Sequence, residues 1–391
     1  MIRAQKIYIG GWFQRTTLHL SEIYDFLRDG ASPLDLDKEK LKELRKAIGI
    51  IAVQVILGPL DYIDLKTEYG IHVKIFEDGL MVLSTRSEHT FDDDIDLLRN
   101  FYEKKLSPGI SYIFSLGAPV PKELAQIKTI YPYFILFHKA HIQDIEEVLM
   151  HFHQQKYLDV RKKELEIYRG DKLYIINNIS EHIETIESFV EEQIFIREFK
   201  GQLHRYLNLH RNIWEKIAEV KERGTIRGSE VGAFKERIES YEKTINFIEA
   251  RINQMDTYVH TRQTLFKTSK KYDQLRDVLD FKHETLINTL EYIKDLWALT
   301  KSYVLSALNL FSAIQAKSTE SSVKNLTVVT SIGVGATVLT LISQKVPEFK
   351  IANFVYVLIL AAVGYGSEKI MRILAKRKMY KIHDAQLAKD I

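Results

Sequence analysis

The C-terminal end of this chain constrains it most. Two apolar stretches, 326–343 and 351–366, sit there, joined by a loop too short to fold by itself and followed by a basic segment. Each approaches the length that a helix needs to span about 30 Å of hydrocarbon. The first is rich in Thr, Ser and Gly. The second, beginning Phe354-Val-Tyr-Val-Leu-Ile-Leu-Ala-Ala-Val, is hard to reconcile with a buried helix of a soluble protein. The expectation is a large body on a two-helix membrane anchor (323–367), with the lipid bilayer as its first partner.

Charge sets the orientation. Lys369, Arg372, Lys376, Arg377, Lys378 and Lys381 follow the second stretch, whereas the loop between the stretches has Lys345, Glu348 and Lys350. The positive-inside rule places the tail (368–391) in the cytoplasm. With two crossings, the body lies on the same side. The chain is then a multi-pass protein of the inner (plasma) membrane with both termini cytoplasmic. The opening MIRAQKIYIGGWF has no apolar run of secretory-signal length, which agrees. There is no cysteine, so disulfides and thiolate metal sites are excluded. A net charge of +3 is too small to argue for a nucleic-acid partner, and anionic lipid suits the basic tail better.

The body has two characters. Residues 1–178 read as an α+β domain, with strand-like runs at 7–13, 50–57, 71–76, 80–84, 112–116, 133–137, 165–168 and 173–176. Glu77-Asp78-Gly79 and Arg169-Gly170-Asp171 read as turns, and Gly10-Gly11, lacking a fuller phosphate-loop fingerprint, as another. Amphipathic helices are predicted at 38–48, 93–105 and 142–153. From 179 to 322 helical periodicity runs nearly unbroken. It predicts helices at 180–222 and 229–267, then a third beginning near Lys271. In that third helix Leu286, Leu290, Ile293, Trp297, Thr300, Val304, Ala307, Phe311 and Ile314 alternate at spacings of four and three, a heptad seam. No Gly or Pro separates it from the first apolar stretch, so one helix of some 100 Å is expected to run into the membrane. The seam packs either on the two preceding helices or on copies of itself.

The first apolar stretch carries a polar stripe. At 100° per residue Thr330, Gly333, Thr337, Thr340 and Gln344 fall within about 80°, opposite Val328, Val338 and Leu339. Steps of seven extend the stripe back through Val323, Ala316 and Asn309 to Ser302. Such a stripe, repeated in several copies, lines a wet pore. The competing reading is close helix packing through small residues.

The layout resembles the CorA-type two-transmembrane metal ion transporters: an α+β domain, long helices, a very long helix entering the membrane, a short loop, a second span and a basic tail. The loop step Pro347-Glu348 is similar to one found in many CorA loops. The family's Gly-Met-Asn signature is missing; Leu341-Ile342-Ser343-Gln344 stands there, and the loop is basic where CorA loops are acidic. The resemblance implies a homopentamer that conducts inorganic cations, Mg²⁺ or another divalent by default, gated by the cytoplasmic domain. It also implies interfacial carboxylates that sense divalent ions. Asp92, Asp93, Asp94 and Asp96 are the densest acidic run, with helix capping as their alternative role. His138, His141, His151 and His153 cluster in sequence and read as solvated surface groups.

No nucleophile elbow, P-loop or metalloprotease motif is present, and the chain does not read as an enzyme. Two other functions compete with the CorA-like channel. CorA-like proteins without the signature resemble effectors of prokaryotic defence, opened by a nucleotide second messenger. A non-conducting, membrane-anchored coiled-coil scaffold is the third reading.

Overall fold

The computed structural model describes residues 4–12, 19–114, 133–156, 158–162, 165–170, 173–179, 183–222, 225–268, 276–343, 377 and 379–381. An α+β region built on a large mixed sheet is followed by long helices. The chain divides into two compact units, one of residues 1–206 and 250–294, the other of 207–249 and 295–391.

In the first unit the elements run β1 (Lys6–Trp12), α1 (Leu20–Asp29), α2 (Lys38–Ile48), β2 (Ile50–Ile56), β3 (Tyr62–Thr67), β4 (Ile71–Phe76), β5 (Leu80–Arg86) and α3 (Phe91–Phe101). A π-helical turn, Tyr102–Leu106, leads into α4 (Ser107–Phe114). Then come β6 (Tyr133–His138), α5 (Ile142–His151), β7 (Leu158–Arg161), β8 (Leu165–Arg169) and β9 (Leu173–Asn178). The nine strands lie in the order β2-β3-β4-β5-β1-β6-β9-β8-β7, and all neighbours are antiparallel except β6 and β9.

Local chemistry explains the punctuation. Asp37 caps α2 by accepting from the Glu39 and Lys40 amides at 2.9 and 3.2 Å, and Gly49 ends it at φ 64°. Along β1 and β3–β5, side chains alternate between two faces. One face carries Ile7, Ile9, Ile63, Leu65, Val73, Ile75 and Leu83 into a dry core shared with α1–α5. The other carries Lys6, Tyr8, Tyr62, Asp64, Lys66, His72, Lys74, Ser84 and Arg86.

Three long helices follow: α6 (Ile183–Glu222), α7 (Val231–Thr268) and α8 (Arg276–Ser343). All nine positions of the predicted α8 seam are buried, as half-buried helix periodicity requires. In the second unit, Trp214 stacks on Tyr303 at 4.7 Å and Phe234 on Phe311 at 6.4 Å. There β10 (Thr225–Arg227) pairs antiparallel with β11 (Met379–Lys381), setting Ile226 opposite Tyr380.

Some expectations change. The strand expected at 112–116 is helix through Phe114, part of α4; residues 115–116 lie outside the described residues. Pro108 cannot donate an amide, and the wider π turn just before it lets the helix continue. Gly10 and Gly11 lie inside β1, not in a turn. β3 and β7 were not predicted. The stretch 351–366 lies outside the described residues. Of 326–343 the backbone is helical, and side chains are described at Gly333 and Val334. Among the described residues no helix is long and apolar enough to cross a membrane.

Candidate functional site

The polar face of the sheet meets the start of α6. Glu187 and Glu191, one turn apart, project toward it together. Lys6 donates to Glu187, and Lys74 donates to Glu191 at 2.6 Å. Between them Tyr8 is buried; that burial first, and then the charges of Glu187 and Glu191, push its hydroxyl pKa upward. From Phe189 to Ile196, α6 is buried at every position. A helix buried all round must satisfy its ionisable groups inside the protein.

Glu192 does so through three other elements. Arg262, on α7, donates from Nη1 to Glu192 Oε2 at 2.9 Å. The same guanidinium grips Asp78 with two donors, Nε and Nη2, the second at 3.2 Å. This fork is the strong, planar form of an ion pair. Asp78 sits at the β4–β5 turn, where Gly79 has φ 92° and the Asp78 carboxylate also accepts from the Leu80 amide at 3.1 Å. His283, on α8, faces the other oxygen of Glu192, Nε2 to Oε1, at 2.9 Å. Asp78 and His283 have no exposed surface, and Arg262 and Glu192 are 5% and 6% exposed. Arg262 also lies over the Phe195 ring at 4.3 Å and the Phe76 ring at 5.3 Å, which adds cation–π attraction.

Burial alone would lift the Glu192 carboxyl. Arg262 and His283 outweigh it and hold the group below its ordinary value. Burial likewise works against the Arg262 charge, and Asp78 and Glu192 reverse that, raising it. Removing one partner from such a cluster strands a buried charge.

Beside the cluster opens a cleft of about 750 Å³ within the first unit. Tyr62 and Phe76, cross-strand neighbours with rings 5.1 Å apart, supply apolar surface. Lys74, Glu187, Glu191 and Arg262 supply charge. A volume of this size suits a small-molecule ligand. Such a ligand would touch the sheet, α6 and α7 together. Farther along the polar face, Lys66, His72 and Arg86 border a second groove of about 560 Å³. His72 pairs with Asp64; Lys66 and Arg86 make no ion pair among the described residues.

The residues singled out from sequence lie elsewhere. The four aspartates engage four different partners: Asp92 bonds His151 at 2.9 Å, Asp93 bonds the capping Thr90 at 2.6 Å, Asp94 bonds His89 at 3.2 Å and Asp96 bonds Arg99 at 3.2 Å. Asp92, Asp93 and Asp96 behave as first-turn and surface partners, and Asp94 is buried at 0% exposure. Among the described residues no group of three or more His, Cys, Asp or Glu is placed to hold a metal ion. His141 precedes α5 and donates its amide to Asp144 at 3.0 Å. Ser302 and Asn309 are exposed on α8, and Gly333 is half-buried. The side chains of Thr330, Thr337 and Thr340, and all of Gln344, lie outside the described residues.

Sequence reasoning missed Arg262, Glu192 and His283. A signal existed. Met255, Val259, Arg262 and Phe266 form a buried seam on α7, and Leu279, His283, Leu286 and Leu290 one on α8. One ionisable residue interrupts each apolar series, and such a residue needs a buried partner. No family model matches the chain, and no curated protein matches it significantly.

Proposed function

We propose that the protein is a homo-oligomeric, CorA-like membrane channel whose α+β domain gates a pore lined by the C-terminal part of α8. The observation that carries this reading is the return of the chain. α8 ends at Ser343, and Met379–Lys381 pairs with Thr225–Arg227 in the body. Any membrane crossing between Arg227 and Met379 must occur an even number of times, which fits a hairpin of 326–343 and 351–366. No charged residue occurs in either stretch, and that suits hydrocarbon. α8 is a single helix of 68 residues, about 100 Å long. A shift at its start would reach the pore without a joint, provided that a ligand binds one arrangement better than the other.

A second reading concerns the gating ligand. Lys66 and Arg86, cations without an ion pair among the described residues, favour a phosphate-bearing molecule such as a nucleotide on the polar face. The basic loop, Lys345 and Lys350 around Glu348, argues against a strong preference for divalent cations.

The test is ion flux through the full chain in liposomes, with K⁺ and Mg²⁺ measured separately, with and without nucleotides. Thr337→Phe is expected to abolish flux, and Val338→Phe, on the opposite side of the helix, to preserve it. Silence of the wild-type chain under every condition would leave the non-conducting scaffold. Flux only with a nucleotide would select the second reading.

A further inference from the structure

We infer that His283 stands in the buried cluster as an imidazolium, and that this proton fastens α8 to α6, making the first unit a pH-sensitive element. The argument begins with donors and acceptors. His283 Nε2 lies 2.9 Å from Glu192 Oε1, and Nδ1 lies 3.1 Å from the Leu279 carbonyl oxygen. A carbonyl oxygen only accepts, and so does an ionised carboxylate. Both ring nitrogens must therefore donate, which takes two protons on the ring. Turning the ring over would set carbons against both oxygens and leave both nitrogens without these acceptors.

The charge count gives the same answer. Asp78 and Glu192 bring two negative charges, and Arg262 brings one positive charge. An imidazolium at His283 makes the cluster neutral. A neutral imidazole leaves one unbalanced negative charge in a site where none of the four residues exceeds 6% exposure, and an unbalanced buried charge is costly.

Among the described residues no other titrating group takes this role. Facing the ring are Glu192 from α6 and, behind it, Arg262 from α7 and Asp78 from the β4–β5 turn. α7 also presents the Phe266 ring at 5.6 Å. On α8 itself, Lys282 is turned to Gln193, Glu284 is exposed, and Asp280 lies most of a turn back with Oδ1 buried. Burial brings the Lys282 ammonium down to about 8.

The direction follows. Stability linked to this ring is present while it is protonated and is lost as pH rises and the proton leaves. Glu192 then loses one of its two cationic partners, and the ring, left with one N–H, can no longer donate to both Glu192 and the Leu279 carbonyl, so the charge that holds α8 to α6 at this point is gone.

The experiment uses the full chain in detergent micelles. Hydrogen–deuterium exchange of wild type is measured at pH 5.5 and 8.5 and corrected for the intrinsic pH dependence of exchange. Protection of 279–290 is expected to fall by about tenfold, the equivalent of one pKa unit of lost coupling, while β1 and β6 in the dry core hold theirs. His283→Gln keeps one donor and cannot titrate, and its protection is expected to be the same at both pH values. Unchanged protection of 279–290 in wild type would overturn the inference, whether or not the variant folds. So would an equal fall in His283→Gln. Neither readout depends on ion conduction, so failure of the channel reading and failure of this one are separable.

Discussion

The two faces of the same sheet are built on opposite principles. The face toward α1–α5 is apolar and dry, with Ile7, Ile63, Leu65, Val73 and Ile75 at 0% exposure. The face toward α6 carries Lys6, Lys74 and Tyr8 and ends at a four-residue ion cluster. Hydrophobic burial is non-directional and tolerates volume-conserving exchange. A buried ion cluster is directional, contributes little net stability when complete and costs several kcal/mol when broken. The dry face therefore sets the fold, and the ionic face is the one that a change of charge or protonation would disturb.

The sharpest test of that contrast is Arg262→Ala. It leaves two buried carboxylates, Asp78 and Glu192, with the His283 ring as the one remaining cation of the cluster and should cost about 3–5 kcal/mol. Leu83→Ala on the dry face falls in a similar range of about 2–5 kcal/mol. The two differ in how they can be repaired. Arg262→Met combined with Asp78→Asn and Glu192→Gln should recover most of the loss, because the His283 ring, with no carboxylate left to hold its proton, can shed it and then no charge is left unpaired. No polar-to-neutral exchange elsewhere should repair Leu83→Ala. Thermal and urea unfolding of the solubilised chain measure both. Failure of the triple variant to exceed Arg262→Ala would show that the cluster contributes packing more than charge balance.

Much of the scaffold was legible because it is periodic. Every predicted seam residue from Leu286 to Ile314 is buried, and α2 occupies its predicted span of 38–48. β3 was missed although Tyr62-Ile-Asp-Leu-Lys-Thr alternates. Its outward residues are polar and charged, so the run lacks the apolar density used to find the other strands. The run 112–116 reads as strand because a short apolar run does not distinguish strand from buried helix. The ion cluster was legible only in part, for a different reason. Arg262 and His283 interrupt apolar series, but Asp78, Glu192, Arg262 and His283 are far apart in sequence, and only the fold shows that they share a partner set. The aspartate run drew attention by density, and density on a first helical turn is what capping also produces.

Close approach offers a smaller comparison between the faces. A Cβ on Gly10 would stand 2.7 Å from Ile194 Cγ2 and 2.8 Å from the Met81 carbonyl oxygen. A Cβ on Gly109 would stand 2.7 Å from Phe26 Cζ, the far end of a side chain. Overpacking typically costs about 1–3 kcal/mol. Gly10→Ala should fall at the upper end, because a backbone oxygen inside a sheet cannot turn away. Gly109→Ala should fall lower and be relieved by Phe26→Leu. Unfolding midpoints of the three variants rank them, and equal losses for Gly10→Ala and Gly109→Ala would remove this difference between the faces.

The smallest expected effect has the opposite sign. Lys282 is bonded to Gln193, and burial first, then the like charge of Arg169, bring its pKa down from 10.5 to about 8. A base whose folded value is depressed destabilises the fold wherever it is charged. The penalty is complete below about pH 8, shrinks as pH rises from there, and is gone above the unfolded value of 10.5. Lys282→Met removes the charge and keeps most of the volume, and it should stabilise the chain by on the order of 1–2 kcal/mol at pH 7. The difference from wild type should close as pH approaches 10.5. His283, the next residue, has the reverse dependence, since its cluster is complete when the ring is charged. Adjacent residues of α8 would then respond to rising pH in opposite directions, Lys282 adding stability and His283 removing it. Melting curves of Lys282→Met and His283→Gln from pH 5.5 to 10 would separate the two. A Lys282→Met chain that melts below wild type at pH 7 would show that the ammonium is a favourable partner of Gln193, and that this side of α8 depends on its charge as the cluster does.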